Sequence, residues 1–185
     1  MDILETIIAE VKFVVPRIFR DDRGHFLETF NAFRYQDALP VEGDFVQDNV
    51  SSSRKGVLRG LHLQHPNAQG KLVMVLEGAV LDVAVDVRTG SPTYGKHVAV
   101  ELDSRSYRQL WIPRGFAHGF LVRSDEALVL YKCDAPYSGE SELSIRWNDP
   151  AIGIEWGIEH PLLSEKDASA PFLKETEKQF PAYRG

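Results

Sequence analysis

Three features of the sequence predict an all-β jelly-roll barrel. Short β-rich runs follow one another from Val11 to Trp147, turn-forming residues mark the breaks, and one strand has two faces of unlike polarity. The breaks fall at Asp21-Asp22-Arg23-Gly24, Thr89-Gly90-Ser91-Pro92 and Tyr137-Ser138-Gly139, all built from residues that accept turn geometry. Val80 to Val87 is the clearest strand: Leu81, Val83, Val85 and Val87 share one face, and Asp82, Ala84 and Asp86 share the other. A polar face turned into a barrel would line a cavity. Leu72 to Leu76 is apolar at every position, the pattern of a strand covered on both faces, and is expected to be central. Asn31 to Leu39 is the best helix candidate, with Asn31 able to cap its start. After Pro161 the chain reads as turns or short helix. No repeat, low-complexity tract or linker divides it, so the expected organisation is one domain over residues 1–185, a double-stranded barrel with short helices and N- and C-terminal extensions. Ligands of such barrels occupy the mouth or the interior.

At 185 residues, with 43% of them apolar, the chain can fill one sizeable core. Its formal charge of −6 argues against general nucleic-acid or membrane-surface binding, because both need an extended basic field. An anionic ligand would have to meet a local cluster of cations. One cysteine, Cys133, permits no internal disulfide and suits a reducing cytosol; within Leu128-Val129-Leu130-Tyr131-Lys132-Cys133 it reads as a small buried hydrophobe. Asp2, Glu5 and Glu10 break up the apolar start, which therefore does not read as a signal peptide. No apolar run approaches the ~18 residues of a membrane span. A cytoplasmic location is expected.

Gly56 to Gly78, together with Pro113 to His118, resembles the two-part metal site of the cupins with half its ligands replaced. The cupin pattern is a Gly, five residues, His-x-His, a Glu, six residues and a Gly, and later Pro-x-Gly-x-x-His. Gly56, His62, Gly78 and His118 fit it. Gln64 stands where the second His belongs, and Lys71 where the Glu belongs. A divalent metal wants three or four His, Cys or carboxylate donors, and an ammonium beside two imidazoles repels it. No metal and no cofactor are expected, and the retained residues point to acid–base chemistry.

Nearly end to end, the chain also resembles the dTDP-4-dehydrorhamnose 3,5-epimerase family of metal-free cupins. The likeness rests on Asp21 to Glu28, Gln47-Asp48-Asn49-Val50-Ser51, Val57 to Gln64, Asp82 to Arg88, Ile112 to Phe120, and Leu163-Ser164-Glu165-Lys166-Asp167. Leu63 departs from the aromatic residue usual there. The resemblance implies a reaction on dTDP-4-dehydro-6-deoxy-D-glucose, whose C4 ketone acidifies the protons on C3 and C5, so that both centres invert through enolates. Such chemistry needs a base, an oxyanion stabiliser and an acid on the opposite face.

Carried over by position, the likeness makes His62 the base, since imidazole titrates near neutrality. Strand alternation puts His62 and Gln64 on one face and Leu61 and Leu63 on the other. Asp167 becomes the carboxylate that stabilises the imidazolium, although Ser164-x-x-Asp167 equally fits the capping of a helix start. Lys71, at the vacated ligand position, would stabilise charge on the C4 oxygen, with Asp82 as a possible holder of its ammonium. Tyr131 is implied as the acid; taken alone it is an ordinary aromatic strand residue. Arg23, Arg59 and Lys166 are implied at the diphosphate, and Glu28, Gln47, Asp48, Asn49 and Glu142 at the nucleotide or sugar. Phe26 and Tyr137 would stack on or close over the ligand. His118 would bond the ligand or the surroundings of Lys71. The family likeness further implies a homodimer with exchanged N-terminal strands. The alternatives are a 3-epimerase or 3,4-ketoisomerase on a related nucleotide sugar, and a sugar-binding cupin without turnover.

Overall fold

The computed structural model describes residues 1–183. Thirteen strands account for most of the architecture. They are β1 (Asp2–Glu5), β2 (Lys12–Val15), β3 (Ile18–Asp21), β4 (Gly24–Leu27), β5 (Gln47–Arg54), β6 (Leu58–Gln64), β7 (Lys71–Glu77), β8 (Ala79–Asp86), β9 (His97–Asp103), β10 (Gln109–Ile112), β11 (Phe116–Val122), β12 (Glu126–Cys133) and β13 (Glu142–Ser144). Three short helices, α1 (Ala32–Ala38), α2 (Glu165–Ala168) and α3 (Leu173–Thr176), complete them. One sheet runs β1-β2-β10-β7-β12-β5 and the other β13-β6-β11-β8-β9, while β3 and β4 form a separate two-stranded ribbon. This is the expected all-β barrel, and β7 is central as its unbroken apolar run requires, hydrogen-bonded to β10 and β12.

Alternation on the two sheets builds three layers of apolar packing. Between the sheets lie Val73, Val75 and Val129 from one side and Val80, Ala84, Phe116, Phe120 and Val122 from the other. On the outer face of the second sheet, Leu61, Leu63, Leu81, Val83 and Val85 are covered by Ile145, Ile152, Trp156, Leu173 and Phe180 of the C-terminal extension. On the outer face of the first, Val14, Leu72 and Trp111 are covered by Tyr35 and Leu39 at α1. Each fully buried Leu, Val or Phe is worth roughly 1.5–3 kcal/mol against exposure, so both extensions are held by the faces they cover. Asn31 caps α1 as expected, its side chain accepting from the Arg34 N–H.

The mixed face of β8 divides. Asp82 stays inside the barrel, bonded to His118, whereas Asp86 is taken up by Arg88, Ser91 and Thr93. Arg88 in turn lies over the rings of Phe116 and Tyr183, 4.6 and 4.9 Å from their centroids, tying the end of the chain to the barrel. β5 is polar apart from the exposed Val50; on its inward face Asn49 and Ser51 line the cavity between the sheets, and the buried Ser53 accepts a hydrogen bond from Arg59.

β6 and β11 approach one another through two glycines. A Cβ added at Gly119 would sit 2.7 Å from the Arg59 carbonyl oxygen and 3.1 Å from Leu61 Cδ2. The close approach brings His62 and His118 into register as paired residues. Overpacking of this kind costs about 1–3 kcal/mol, so Gly119→Ala should lower the urea midpoint by that amount of stability. An unchanged midpoint would show that the two strands can part without penalty.

Candidate active site

The barrel mouth holds a cavity of about 450 Å³, and beside it a smaller lobe of about 220 Å³. His62, Lys71 and Tyr131 line both. These three side chains come from β6, β7 and β12, on two different sheets, and meet because each sits at an inward position of its strand.

His62 projects from β6 with 27% of its side chain exposed, and its Nε2 lies 2.5 Å from Asp167 Oδ1. Gln64 shares its face, while Leu61 and Leu63 turn to the apolar layer behind, as alternation demands. Asp167 belongs to α2 and is 5% exposed. Its backbone N–H also donates to Ser164 Oγ at 3.1 Å, so the capping and the dyad readings both hold. Burial alone would raise the Asp167 carboxyl. The His62 hydrogen bond and charge, the Ser164 hydroxyl and the Gly60 N–H outweigh it and hold the group below the usual carboxylate range. The other nitrogen of the His62 ring has no partner among the described residues.

Lys71 opens β7, with Ile112 and Cys133 as its strand neighbours. Burial pulls its ammonium below the usual lysine range, and Cys133, Asp82 and Glu142 oppose that pull. Among the described residues no carboxylate lies within ion-pair distance of it. The expectation that Asp82 holds Lys71 directly is corrected: Asp82, fully buried, is engaged by His118, whose Nε2 stands 3.1 and 3.0 Å from its two oxygens. Its influence on Lys71 is electrostatic and at longer range. His118 itself lines the larger lobe beside His62.

Tyr131 lies on β12, between Val73 of β7 and Asn49 of β5. Burial, with help from Cys133 and Glu142, pushes its phenol above the ordinary value, and Arg59 pulls the other way. It therefore carries its proton at neutral pH.

Around these three, Gln47, Asn49, Tyr137 and Glu142 line the smaller lobe, and Arg59 and Lys166 the larger. Gln47 Oε1 accepts the Tyr137 N–H at 2.7 Å, the Tyr137 hydroxyl donates to Glu142 at 3.2 Å, and Lys166 pairs with Glu142 at 2.7 Å. Arg59 Nε donates to Ser53 Oγ at 3.0 Å.

Four expected residues are not brought to this space within one chain. Arg23, 90% exposed, sits in the turn joining β3 and β4 and pairs with Asp21. Phe26 is 70% exposed and lies against Phe19. Glu28 pairs with Arg34 at 2.9 Å. All three belong to or follow the ribbon, which joins neither barrel sheet. Asp48 falls on the outer face of β5, where it pairs with Lys132 at 2.8 Å; strand alternation separates it from Gln47 and Asn49.

Ser51, Arg54, Phe120 and Leu162 to Ser164 line the larger lobe without having been singled out. The alternation Gln47, Asn49, Ser51 along a polar strand was the available signal for Ser51. Leu162 reaches the site through a parallel bridge to Val57 that local sequence does not encode. Gln64, at the replaced ligand position, spends its amide on loops: it donates to the Asn67 carbonyl at 2.7 Å and accepts from the Ser138 N–H at 2.8 Å. Among the described residues no group of three or more His, Cys, Asp or Glu side chains is arranged to hold a metal.

Comparison with known proteins matches residues 5–175 to the family model described as dTDP-4-dehydrorhamnose 3,5-epimerase. A relative of that name from Shigella flexneri is 52% identical over 168 residues, covering 90% of this chain and 93% of the relative. Another, from Neisseria gonorrhoeae, is 50% identical over 179 residues; it covers 96% of this chain, which spans 54% of that longer protein. The crystal structure of dTDP-6-deoxy-D-glucose-3,5-epimerase from Legionella pneumophila, in complex with dTDP-4-keto-L-rhamnose, superposes with a TM-score of 0.97 at 50% identity. It covers 100% of this chain and 99% of its own.

The depressed Asp167 carboxyl has a pH signature. Its folded value lies below the ordinary 3.8, so the stability it contributes is complete above that value and is lost as pH falls through the folded one. Asp167→Asn should therefore weaken the acid dependence of urea stability from about pH 4 downward. An acid limb identical to that of the parent would remove Asp167 from the linkage.

Proposed function

The chain belongs to the dTDP-4-dehydrorhamnose 3,5-epimerase family, and we propose that its pocket inverts C3 and C5 of dTDP-4-dehydro-6-deoxy-D-glucose with the division of labour described next. One observation carries the reading: a base, a cation and a protonated phenol, His62, Lys71 and Tyr131, line one shared space. The C4 ketone acidifies the protons on both neighbouring carbons. His62 takes such a proton, Asp167 stabilises the imidazolium that results, and Lys71 stabilises the negative charge that develops on O4. Tyr131 returns a proton from the other side at C5, which a buried, protonated phenol is suited to do, while at C3 water returns it; the imidazolium gives its proton up to solvent before the second abstraction.

Magnitude favours Lys71 as more than a wall residue. One preorganised oxyanion donor is worth about 3–4 kcal/mol in the transition state, and an unpaired ammonium in a desolvated cavity costs least when it meets a forming anion. Gln47, Asn49, Tyr137 and Glu142 serve the nucleotide or sugar from the smaller lobe, and Arg59 and Lys166 the diphosphate at the rim of the larger. His118, held by Asp82, completes the wall beside His62.

The active form is a homodimer with exchanged N-terminal strands, in which Arg23, Phe26 and Glu28 act on the pocket of the second copy. The exposure of Phe19, Phe26 and Arg23 on a ribbon outside both sheets supports this. The chain works as one domain, without metal or cofactor, in the cytoplasm, a location its single free cysteine suits.

Turnover in deuterium oxide, read by NMR at both carbons, tests the assignment. Deuterium at C3 and C5 with inversion of both is expected. Exchange confined to C3 would make the protein a 3-epimerase, and saturable binding without wash-in at either carbon a sugar-binding protein. His62→Ala should abolish exchange at both positions, whereas Tyr131→Phe should keep exchange at C3 and impair inversion at C5. Lys71→Met should lower kcat about 10²- to 10³-fold. Chelators should leave activity intact; loss of turnover on chelation, restored by a metal, would overturn the metal-free reading.

A further inference from the structure

Lys71 has a long, flexible stem and no ion-pair partner among the described residues, so what sets the place of its ammonium is the backbone that carries it. We propose that Asp134, itself held by Arg114, is a positioning residue for Lys71. The proposal rests on the reading of Lys71 as the group that meets the C4 oxygen.

Asp134 follows directly on the end of β12, and its side chain is fully buried. It grips Gly70, the residue before Lys71, at two points. Its Oδ1 accepts the Gly70 N–H at 2.7 Å, and its own N–H donates to the Gly70 carbonyl at 3.2 Å. A further tie lies alongside, where Gln69 Nε2 donates to the Ala135 carbonyl at 2.8 Å. Gly70 has no room to shift: a Cβ there would stand 2.5 Å from Trp111 Cη2 and 2.7 Å from Asp134 Oδ2.

A buried carboxylate spent on one peptide N–H is costly unless its charge is compensated, and Arg114 does this. Its Nε donates to Asp134 Oδ2 at 3.1 Å, and another guanidinium nitrogen to the Asp134 carbonyl at 3.2 Å. The same side chain is anchored to Glu42 through its carboxylate at 3.3 Å and its carbonyl at 3.0 Å. The chain of contacts runs from a surface loop through Arg114 and Asp134 to the peptide that launches Lys71. Gln69 borders the smaller lobe of the cavity, whereas Glu42, Gly70, Arg114 and Asp134 line neither lobe. Their effect reaches the reaction only by where they put the ammonium, and a misplacement near 1 Å is enough to cost about a hundredfold.

Steady-state kinetics per folded, dTDP-binding molecule test the idea, with Asp134→Asn, Lys71→Met and the double variant compared. Asp134→Asn keeps an oxygen for the Gly70 N–H but loses the charge that holds Arg114. It should lower kcat about tenfold or more, leave KM within about twofold, and reduce isotope exchange at C3 and C5 by the same factor, because both enolates share O4. With Met at position 71 it should cost almost nothing further. Arg114→Gln, which leaves the Gly70 contacts in place, should give a smaller loss with the same pattern and serves if Asp134→Asn does not fold. A parental kcat in Asp134→Asn or Arg114→Gln, or an equal fall in the presence and absence of Lys71, would overturn the positioning role alone. A Lys71→Met enzyme as fast as the parent would overturn the oxyanion reading and this proposal with it.

Discussion

The hydrogen bond between His62 and Asp167 joins residues 105 positions apart, and the site depends on it. A carboxylate in a barrel wall must be partnered or else neutralised, and an imidazole on a strand turns freely about its χ angles unless something fixes it. The two needs are met together. Because Asp167 rides on the C-terminal extension, the dyad forms only once that extension has docked on the outer face of the second sheet, where Leu173 and Phe180 cover Leu81, Val83 and Val85. Apolar burial on the outside of the barrel thus determines the orientation of an imidazole on the inside.

Polar groups inside the barrel are tolerated because nearly all are committed. His118 is bound to Asp82, Gln64 to two loops, Gln47 to Tyr137, and Glu142 to both Tyr137 and Lys166. Among the described residues the second nitrogen of His62, the ammonium of Lys71 and the hydroxyl of Tyr131 are left without a partner in this space, as is Ser51 Oγ beside them; the first three are the groups to which the proposed chemistry is assigned. A metal-binding cousin would place a cation between imidazoles and a carboxylate; here a lysine stands in the carboxylate's place and carries the positive charge itself. Burial lowers the readiness of Lys71 to stay charged and of Tyr131 to ionise, so both are most useful in company with a developing oxyanion and its protonated product.

Glycines set the distances. Gly119 lets β6 and β11 approach closely enough to put His62 and His118 side by side, and Gly70 lets the start of β7 tuck under Trp111 and against Asp134. Neither glycine contributes a functional atom, yet each defines where one emerges.

Much of this was legible beforehand. The period of two along Val80 to Val87, the unbroken apolar run of Leu72 to Leu76 and the cap at Asn31 are local, and local rules determined strand, centrality and helix without reference to the rest of the chain. That Lys71, His62 and His118 line one cavity followed from a spacing pattern that resembles a two-part site facing a single space. What only the tertiary structure decided is everything that depends on contacts between distant segments. Asp48 went outward although its neighbours went inward, because β5 presents one face to the cavity and the other to Lys132. Asp82 chose His118 over Lys71, because pairing across β8 and β11 puts imidazole and carboxylate within 3.0 Å. Arg23 and Phe26 left the barrel altogether, because β3 and β4 pair with each other and with no third strand. Residue type and periodicity determine what a side chain is able to do and which way its strand faces; which partner it meets is settled by sheet order, a property of the whole chain.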